Sequence, residues 1–456
     1  MRFYISILVG KVVMLGISVI NKITRKERGG SLPGIIALRI DPLMLSKFRG
    51  VDPANVLFVT GTNGKSTTNN LINHVIGRSG RKTISNLDGS NLLSGLCTSM
   101  LAASNLRGFV GAEYFVFETD ERYLPIIYKQ LPAKNLLITN LQIDQVQRNG
   151  DPDFIYRKLA EIAAEYDIRI FANSHDPRVM ALANICGHCV TYGVENGSYT
   201  DYDALSFKGY CCPVCSHGIE FAYYNAASVG KFTCPNCGLS TPESVDYFIK
   251  DVDFKKGKFR IADVELFMPY KTEYMLYNYA AAVAVGIEFA GMDINDIKGA
   301  ISDFVNVGGR QEEIHFAGKD IKYFKIKQEN PETLQNIINV ISADDKLKAV
   351  VLGLGTVEDI VPHYTNTFYM YDCYYRKLTD SDNVEKYICF TPEVCCDVAN
   401  RLLYEGVTRD KIKILETNDF GAVIKEIERL DTDNVYMVTL MGYYQNYIAE
   451  TLKKMK

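Results

Sequence analysis

The sequence predicts an α/β protein of at least two domains. A central domain of parallel strands is opened by a glycine-rich loop and carries an inserted four-cysteine ribbon, and a Rossmann-like α/β domain follows at its C-terminal end. Three observations predict this. The run VLFVTGTNGKSTT, residues 56–68, joins an apolar stretch to a glycine-bearing turn and then to a helix start. Two Cys-x-x-Cys pairs, Cys212/Cys215 and Cys234/Cys237, stand eighteen residues apart. Beyond residue 307, strand-like runs alternate with helical ones.

A chain of 456 residues exceeds one core and implies two or three domains. Apolar residues at 47%, charged residues at 23% and a net charge of -4 describe an ordinary globular protein, with no nucleic-acid partner and no disordered tail. The twelve cysteines lack the even spacing of a disulfide scaffold and no secretory cleavage site precedes them, so a reducing, cytoplasmic compartment is expected.

Taken in order, residues 3–20 are apolar with Arg2 before them and Lys22, Arg25 and Lys26 after. Lys11 interrupts the run where a bilayer would penalise it, so a helix docked on the protein body is expected. The alternative is an interfacial helix whose basic flank meets anionic lipid, a peripheral membrane contact at the inner face. Gly29–Gly34 reads as turn, and IIALRIDP as a short strand ending at Asp41-Pro42. Residues 1–48 then form an N-terminal helix and arm, 49–306 the central domain with the ribbon at about 205–242, and 307–456 the C-terminal domain.

Val56–Val59 is the expected first buried strand. Gly61, Thr62, Asn63 and Gly64 form a turn whose backbone N–H groups can approach an oxyanion, and Lys65-Ser66-Thr67 opens a helix whose positive end faces it. Lys65 can reach the outer phosphates of a nucleotide and Ser66 can hold Mg²⁺. The strict Walker A pattern is not met, since Val59 stands where it wants glycine. Tyr114–Phe117 is a further buried strand ending in Glu118, at the carboxyl edge where an α/β sheet binds ligands, so Glu118 is the expected magnesium ligand. Strands at 135–139 and 169–172 and a helix at 154–166 continue the pattern, and His175 reads as a turn residue before Asp176-Pro177. Cys212, Cys215, Cys234 and Cys237 can present four thiolates tetrahedrally to Zn²⁺, and with no open position the role is structural. Residues 219–224 and 230–233 are the expected ribbon strands. Asn278 sits in an alanine-rich helix starting at Glu273, and Gly308-Gly309-Arg310 marks the domain boundary. Strands at 321–326, 348–354, 386–390, 411–415 and 435–440 build the second domain, with Gly353-x-Gly355 a faint nucleotide-like sign.

GTNGKST directly after an apolar strand resembles the ATP site of the Mur ligase superfamily. The pattern E-x-D-E-x-x-L-P at 118–125 resembles its MurT subgroup, as does Asn140, Leu141, Asp144, Gln145, Arg148 and Gly150 set against N-L-x-R-D-Q-L-D-R-Y-G. Ile143, Gln147 and Asn149 depart from that pattern. Asn173, Asp176 and Pro177 match N-x-D-D-P, with His175 in place of an acid, and a four-cysteine ribbon is similar to the one MurT proteins carry. The resemblance implies that Gly61–Thr67 bind ATP, that Asn278 contacts adenine, and that Arg310, in a G-R-Q-E segment, reaches the nucleotide. Lys65, Glu118 and Arg310 are then the catalytic set. Gln145 occupies the place of a histidine that binds a second magnesium in other members. Only about fifty residues precede the loop strand, so by the resemblance a substrate not read through a uridine nucleotide is expected.

What this implies is an ATP-dependent carbon–nitrogen ligase of peptidoglycan synthesis, amidating the α-carboxylate of D-glutamate in lipid II with ammonia from a GatD-type glutamine amidotransferase subunit. The C-terminal region departs from the subgroup: its tryptophan-bearing stretch is missing, the chain has no tryptophan, and only Tyr371-Asp372 aligns with its close. Glu358 and Asp359 are weak stand-ins for the aspartate lent to that partner. A ligase adding an amino acid, or a non-catalytic ATP-binding scaffold, are the alternatives.

Overall fold

The computed structural model describes residues 1–24, 30–86, 90–144, 150–195, 210–226, 229–305, 311–316, 318–326, 330–355, 368–392 and 394–440. Arg310, Gln145, Arg148, Glu358 and Asp359 lie outside these. Two compact units are formed, one from Met1–Gln142, Asp151–Tyr202 and Gly209–Asn306 and the other chiefly from Val307–Lys456.

The first unit opens with helices α1 (Arg2–Thr24) and α2 (Leu32–Ile40). The second corrects the expected strand at IIALRIDP. Pro33 stands in the first turn, where its missing N–H costs nothing, and Gly34 is a contact point rather than a turn residue. A Cβ on Gly34 would lie 1.9 Å from the Ser94 carbonyl oxygen of α4 (Leu93–Ala103), and the Gly34 N–H donates to Thr98 Oγ1 at 2.9 Å. Packing against α4 overrides the local β preference of two adjacent isoleucines. Gly34→Ala is therefore expected to destabilise the protein by about 2 kcal/mol, measured by urea unfolding, because the obstructing atom is backbone and cannot rotate away.

Behind these helices stands a nine-stranded sheet. Its central strands are β1 (Val56–Thr60), β2 (Thr83–Ile84), β3 (Tyr114–Glu118), β4 (Asn135–Ile138), β5 (Arg169–Asn173) and β6 (Cys189–Val194). Beyond the hairpin β7 (Glu220–Ala226) and β8 (Val229–Thr233) come β9 (Tyr247–Asp253), β10 (Lys258–Ile261) and β11 (Val264–Phe267). The order is β11-β10-β9-β6-β5-β4-β1-β3-β2, parallel from β9 to β2 and antiparallel through β10 and β11. Every residue of β1 is buried, as a strand covered on both faces requires. One face carries Phe58, Phe117 and Leu136, the other Leu57, Val116 and Phe171. The second face is covered by α3 (Lys65–Arg78) and the helix Glu273–Glu288, whose run Ala280–Ala284 is wholly buried.

The second unit is a six-stranded sheet of β12 (Gln311–Phe316), β13 (Lys319–Ile326), β14 (Lys348–Gly353), β15 (Val384–Phe390), β16 (Ile412–Leu415) and β17 (Asn434–Leu440), in the order β12-β13-β17-β14-β15-β16. Only β12 runs antiparallel. Helices cover both faces, Leu334 and Ile338 packing on one and Val423 and Ile427 on the other. Gly353 has a packing reason: a Cβ there would meet the Phe390 ring at 2.2 Å. Gly353-x-Gly355 thus needs no nucleotide to explain it.

Candidate active site

The loop Gly61–Gly64 leaves the carboxyl end of β1 and turns into α3. Gly61 and Gly64 have φ of 124° and 84°, a region that favours glycine, and a Cβ on Gly61 would lie 2.4 Å from Thr139 Oγ1. A second segment, entering from β4, fastens the loop. The Thr62 N–H donates to the Asn140 carbonyl at 2.8 Å, and the Asn63 N–H to Asn140 Oδ1 at 2.9 Å. The Gln142 N–H donates to Thr62 Oγ1, and Asn63 Nδ2 to Gln142 Oε1, both at 2.9 Å.

That segment is itself anchored by the Asn173…Asp176-Pro177 motif. Asp176 caps the helix Pro177–Cys186 through the N–H groups of Arg178 and Val179, while its other oxygen accepts from the Leu141 N–H at 2.7 Å. Asn173 Nδ2 donates to the Thr139 carbonyl at 2.8 Å. Asp176→Ala removes a cap and a buried tether together, so a loss of about 3 kcal/mol is expected in denaturant unfolding, with weakened nucleotide binding in a fluorescent-ATP titration.

Gly64 starts α3 with no side-chain cap, which leaves the first-turn amides aimed past the loop. This is the backbone that an anion needs. Lys65 is buried at 5% exposure. Its amino group donates to the carbonyls of Gly61 and Thr62 and pairs with Glu121 at 3.1 Å. The pair is buried on both sides. Ser66 and Thr67 are half-buried in the same turn.

Glu118 lies beside Val59 in register and is 2% exposed. Asn86 brackets its backbone at both N–H and carbonyl, and Asn91 Nδ2 donates to Glu118 Oε1 at 3.2 Å. Among the described residues it has no ion pair. A buried carboxylate in that condition is a ready cation ligand, since buried charges are otherwise paired. The next residue adds a buried hydroxyl, Thr119 Oγ1, with no hydrogen-bond partner among the described residues. Asp120 is turned the other way, onto Arg122; burial works to raise its carboxyl, but the Arg122 guanidinium outweighs it and holds the group below the usual range. These donors fit a magnesium–nucleotide.

Asn278, on the buried helix Glu273–Glu288, accepts from Thr68 Oγ1 at 3.0 Å and would stand 2.9 Å from a Cβ on Gly64. Its Nδ2 donates to Met275 Sδ. His175 is fully buried. Its Nδ1 lies 2.7 Å from the Tyr277 hydroxyl, Nε2 has no partner among the described residues, and burial followed by the charge of Lys231 brings its pKa down to about 3. It is a neutral packing residue against Tyr223, Phe248 and Tyr277.

Cys212, Cys215, Cys234 and Cys237 converge at the end of the β7–β8 hairpin, with their sulfurs all within 4.8 Å of one another. Tetrahedral ligation at Zn–S of about 2.3 Å separates sulfurs by roughly 3.8 Å, so the set fits. The knuckles are alike: Ser216 N–H donates to the Cys212 carbonyl and Gly238 N–H to that of Cys234, with φ of 60° and 77° at those residues. The Asn236 side chain and the His217 N–H bring the Cys215 thiol down to about 6. Cys211 and His217 stand outside the four-sulfur group. The hairpin is joined to the site domain through Asn225, which donates to the carbonyls of Val194 and Glu195 and, at 3.0 Å, to the Tyr277 hydroxyl.

The sequence placed Gly61–Thr67, Glu118 and Asn278, and all meet at the carboxyl edge of the sheet. It missed Glu121 as the partner of Lys65, Asn91 on Glu118, and the Asn140–Gln142 clamp, although the acids of 118–121 were a visible signal. Arg310 falls outside the described residues.

Residues 59–286 match the Mur ligase middle domain and residues 328–443 the MurT ligase C-terminal family. The chain is 26% identical over 430 residues to "Lipid II isoglutaminyl synthase (glutamine-hydrolyzing) subunit MurT" of Streptococcus pneumoniae, covering 91% of each, and 26% identical over 362 residues to its Staphylococcus aureus counterpart, covering 77% of this chain and 78% of that one. Among solved structures, a pseudomurein peptide ligase type C from Methanothermus fervidus shares the fold with a TM-score of 0.69 at 18% identity, covering 91% of this chain and 81% of that one. MurF from Acinetobacter baumannii follows at 0.62 and 15%, covering 92% and 80%.

Proposed function

The chain belongs to the Mur ligase superfamily as a MurT-like, ATP-dependent ligase, and from that premise we propose that it amidates the α-carboxylate of D-glutamate in the lipid II stem peptide. Glu118 carries this reading: a buried carboxylate without an ion pair among the described residues, at the sheet edge beside a phosphate-type loop. Gly61–Thr67 grip the nucleotide, Lys65 lies at its outer phosphates, and Asn278 borders the adenine. Ser66 and Glu118 would hold Mg²⁺, which neutralises charge on the phosphates. Arg310 completes the set on its G-R-Q-E motif.

The acceptor carboxylate attacks the γ-phosphorus in line. The bond to the β,γ-bridging oxygen breaks, giving ADP and an acyl phosphate, while Lys65 offsets the charge that develops. The lone pair of ammonia then attacks the carbonyl carbon; phosphate departs with the C–O electrons and a nitrogen proton is released. A GatD-type glutaminase subunit supplies the ammonia. The four cysteines hold a structural Zn²⁺, and the enzyme works in the cytoplasm at the inner membrane face, where a lipid-linked acceptor is found.

The test is ADP release with a lipid II analogue and ammonium chloride. ADP formed only when both are present, with a product about one mass unit lighter for OH replaced by NH₂, is the expected result. ADP released with an amino acid but not with ammonia identifies a peptide-extending ligase. If none of the acceptors tried elicits ADP, the chain is a scaffold, and either result overturns the proposal.

A further inference from the structure

Helix α1 is apolar on both sides, but only one side is covered. Phe3 and Ile7 are buried, Phe3 edge-on to Phe48 at 5.6 Å, and Gly10 sits against Leu101, where a Cβ would come within 2.8 Å. Lys11 belongs to this covered side: its amino group donates to the carbonyls of Leu101 and Ser104 at 2.7 and 2.6 Å. The charge that would spoil a membrane-facing helix is thus turned inward, onto the C-terminal carbonyls of α4.

The outer side carries Tyr4, Leu8, Val12, Leu15, Val19 and Ile23, spaced 4, 4, 3, 4 and 4, each more than half exposed, with Ile5 and Ile20 beside them. That spacing is a single stripe along six turns. No charged side chain is exposed between Ile5 and Ile20, while Arg2 and Lys22 are exposed at the two ends and Arg25, Lys26 and Arg28 follow in the sequence against one acid, Glu27. A monomeric soluble protein seldom leaves such a contiguous apolar stripe uncovered. A protein partner would not need the basic ends; an anionic bilayer matches both features.

We propose that the outer stripe of α1 lies in the plane of an anionic lipid bilayer, seating the enzyme peripherally on the membrane. The helix cannot span the bilayer without stripping Lys11 and Phe3 from α4 and Phe48. This deepens the reading above, since it rests on the acceptor being lipid-linked, and it identifies the surface that brings the chain to such an acceptor.

The test is flotation of the full chain with phosphatidylcholine vesicles containing about 30% phosphatidylglycerol, compared with phosphatidylcholine alone. Binding to the anionic vesicles, release by carbonate extraction, and a loss of about tenfold or more for Leu8→Glu/Leu15→Glu are expected. ADP formation by that variant on a soluble muropeptide is expected to be unchanged, which also shows that it is folded. Absence of vesicle binding, unchanged binding by the variant, or resistance to carbonate overturns the proposal, as does a dimer that the variant converts to monomer. If vesicles bind as expected but no acceptor elicits ADP, the proposed reaction fails and the membrane surface stands.

Discussion

Lys65→Met is expected to lower ATP-dependent product formation by about 10²–10³-fold, with a smaller change in nucleotide affinity. The division follows from the geometry. In the proposed reaction the backbone amides of the first turn of α3 would hold phosphate whatever the state of the Lys65 side chain, whereas its amino group would offset charge that grows only during transfer. The same substitution also strands a carboxylate. Glu121 is 4% exposed and pairs with Lys65 at 3.1 Å, so losing the amine leaves it buried and uncompensated at a cost of about 3 kcal/mol. Lys65→Met/Glu121→Gln separates the two effects. Denaturant unfolding of the double variant is expected to recover most of the lost stability, and product formation is expected to stay low. Recovery of turnover in the double variant would place Lys65 among the structural residues and remove it from the catalytic set.

Cys234→Ser is expected to release zinc and to lower the melting temperature by roughly 10 °C, on the scale of about 2–4 °C per kcal/mol for a unit of this size. Cys234 is fully buried with its sulfur 3.5 Å from that of Cys215. Metal analysis of the purified chain is expected to give one zinc per chain, falling to none in the variant. The pH dependence has a definite sign: thiolates bind the metal and protons compete, so zinc affinity falls as pH falls. Wild-type protein free of zinc after purification in its presence, or a variant that keeps one equivalent, would refute the reading. Because Asn225 of the hairpin holds the Tyr277 hydroxyl, and Tyr277 adjoins Asn278, metal loss is expected to weaken nucleotide binding as well as the hairpin.

Much of this was legible in the sequence because its cause is local. Five of the six strands of the second unit and those around the glycine-rich loop were readable from short apolar runs, whereas β12 was not, and the cysteine spacing foretold four converging sulfurs. What escaped was set by distant chain. Leu32–Ile40 read as turn and strand because Pro, Gly and paired isoleucines are locally consistent with that, and only the Ser94 carbonyl of α4 explains why Gly34 belongs in a helix. Lys65 gave no sign of Glu121 fifty-six residues on, nor Asp176 of the Leu141 amide it holds. His175 does lie in a turn, as expected, but its burial depends on Tyr223 of the later hairpin and on Tyr277 of the helix Glu273–Glu288, which no local signal shows.

The hydrogen bond from Thr68 to Asn278 spans 210 residues of sequence. On a ribosome adding about 5–20 residues per second, roughly 10–40 s separate the synthesis of one end from that of the other. The glycine-rich loop therefore leaves the exit tunnel long before the helix that buttresses it exists, and nucleotide competence is among the last properties the first unit acquires during its synthesis. A nascent chain stalled after the hairpin cysteines but before residue 278 would carry its whole phosphate loop and still lack the asparagine that closes against it.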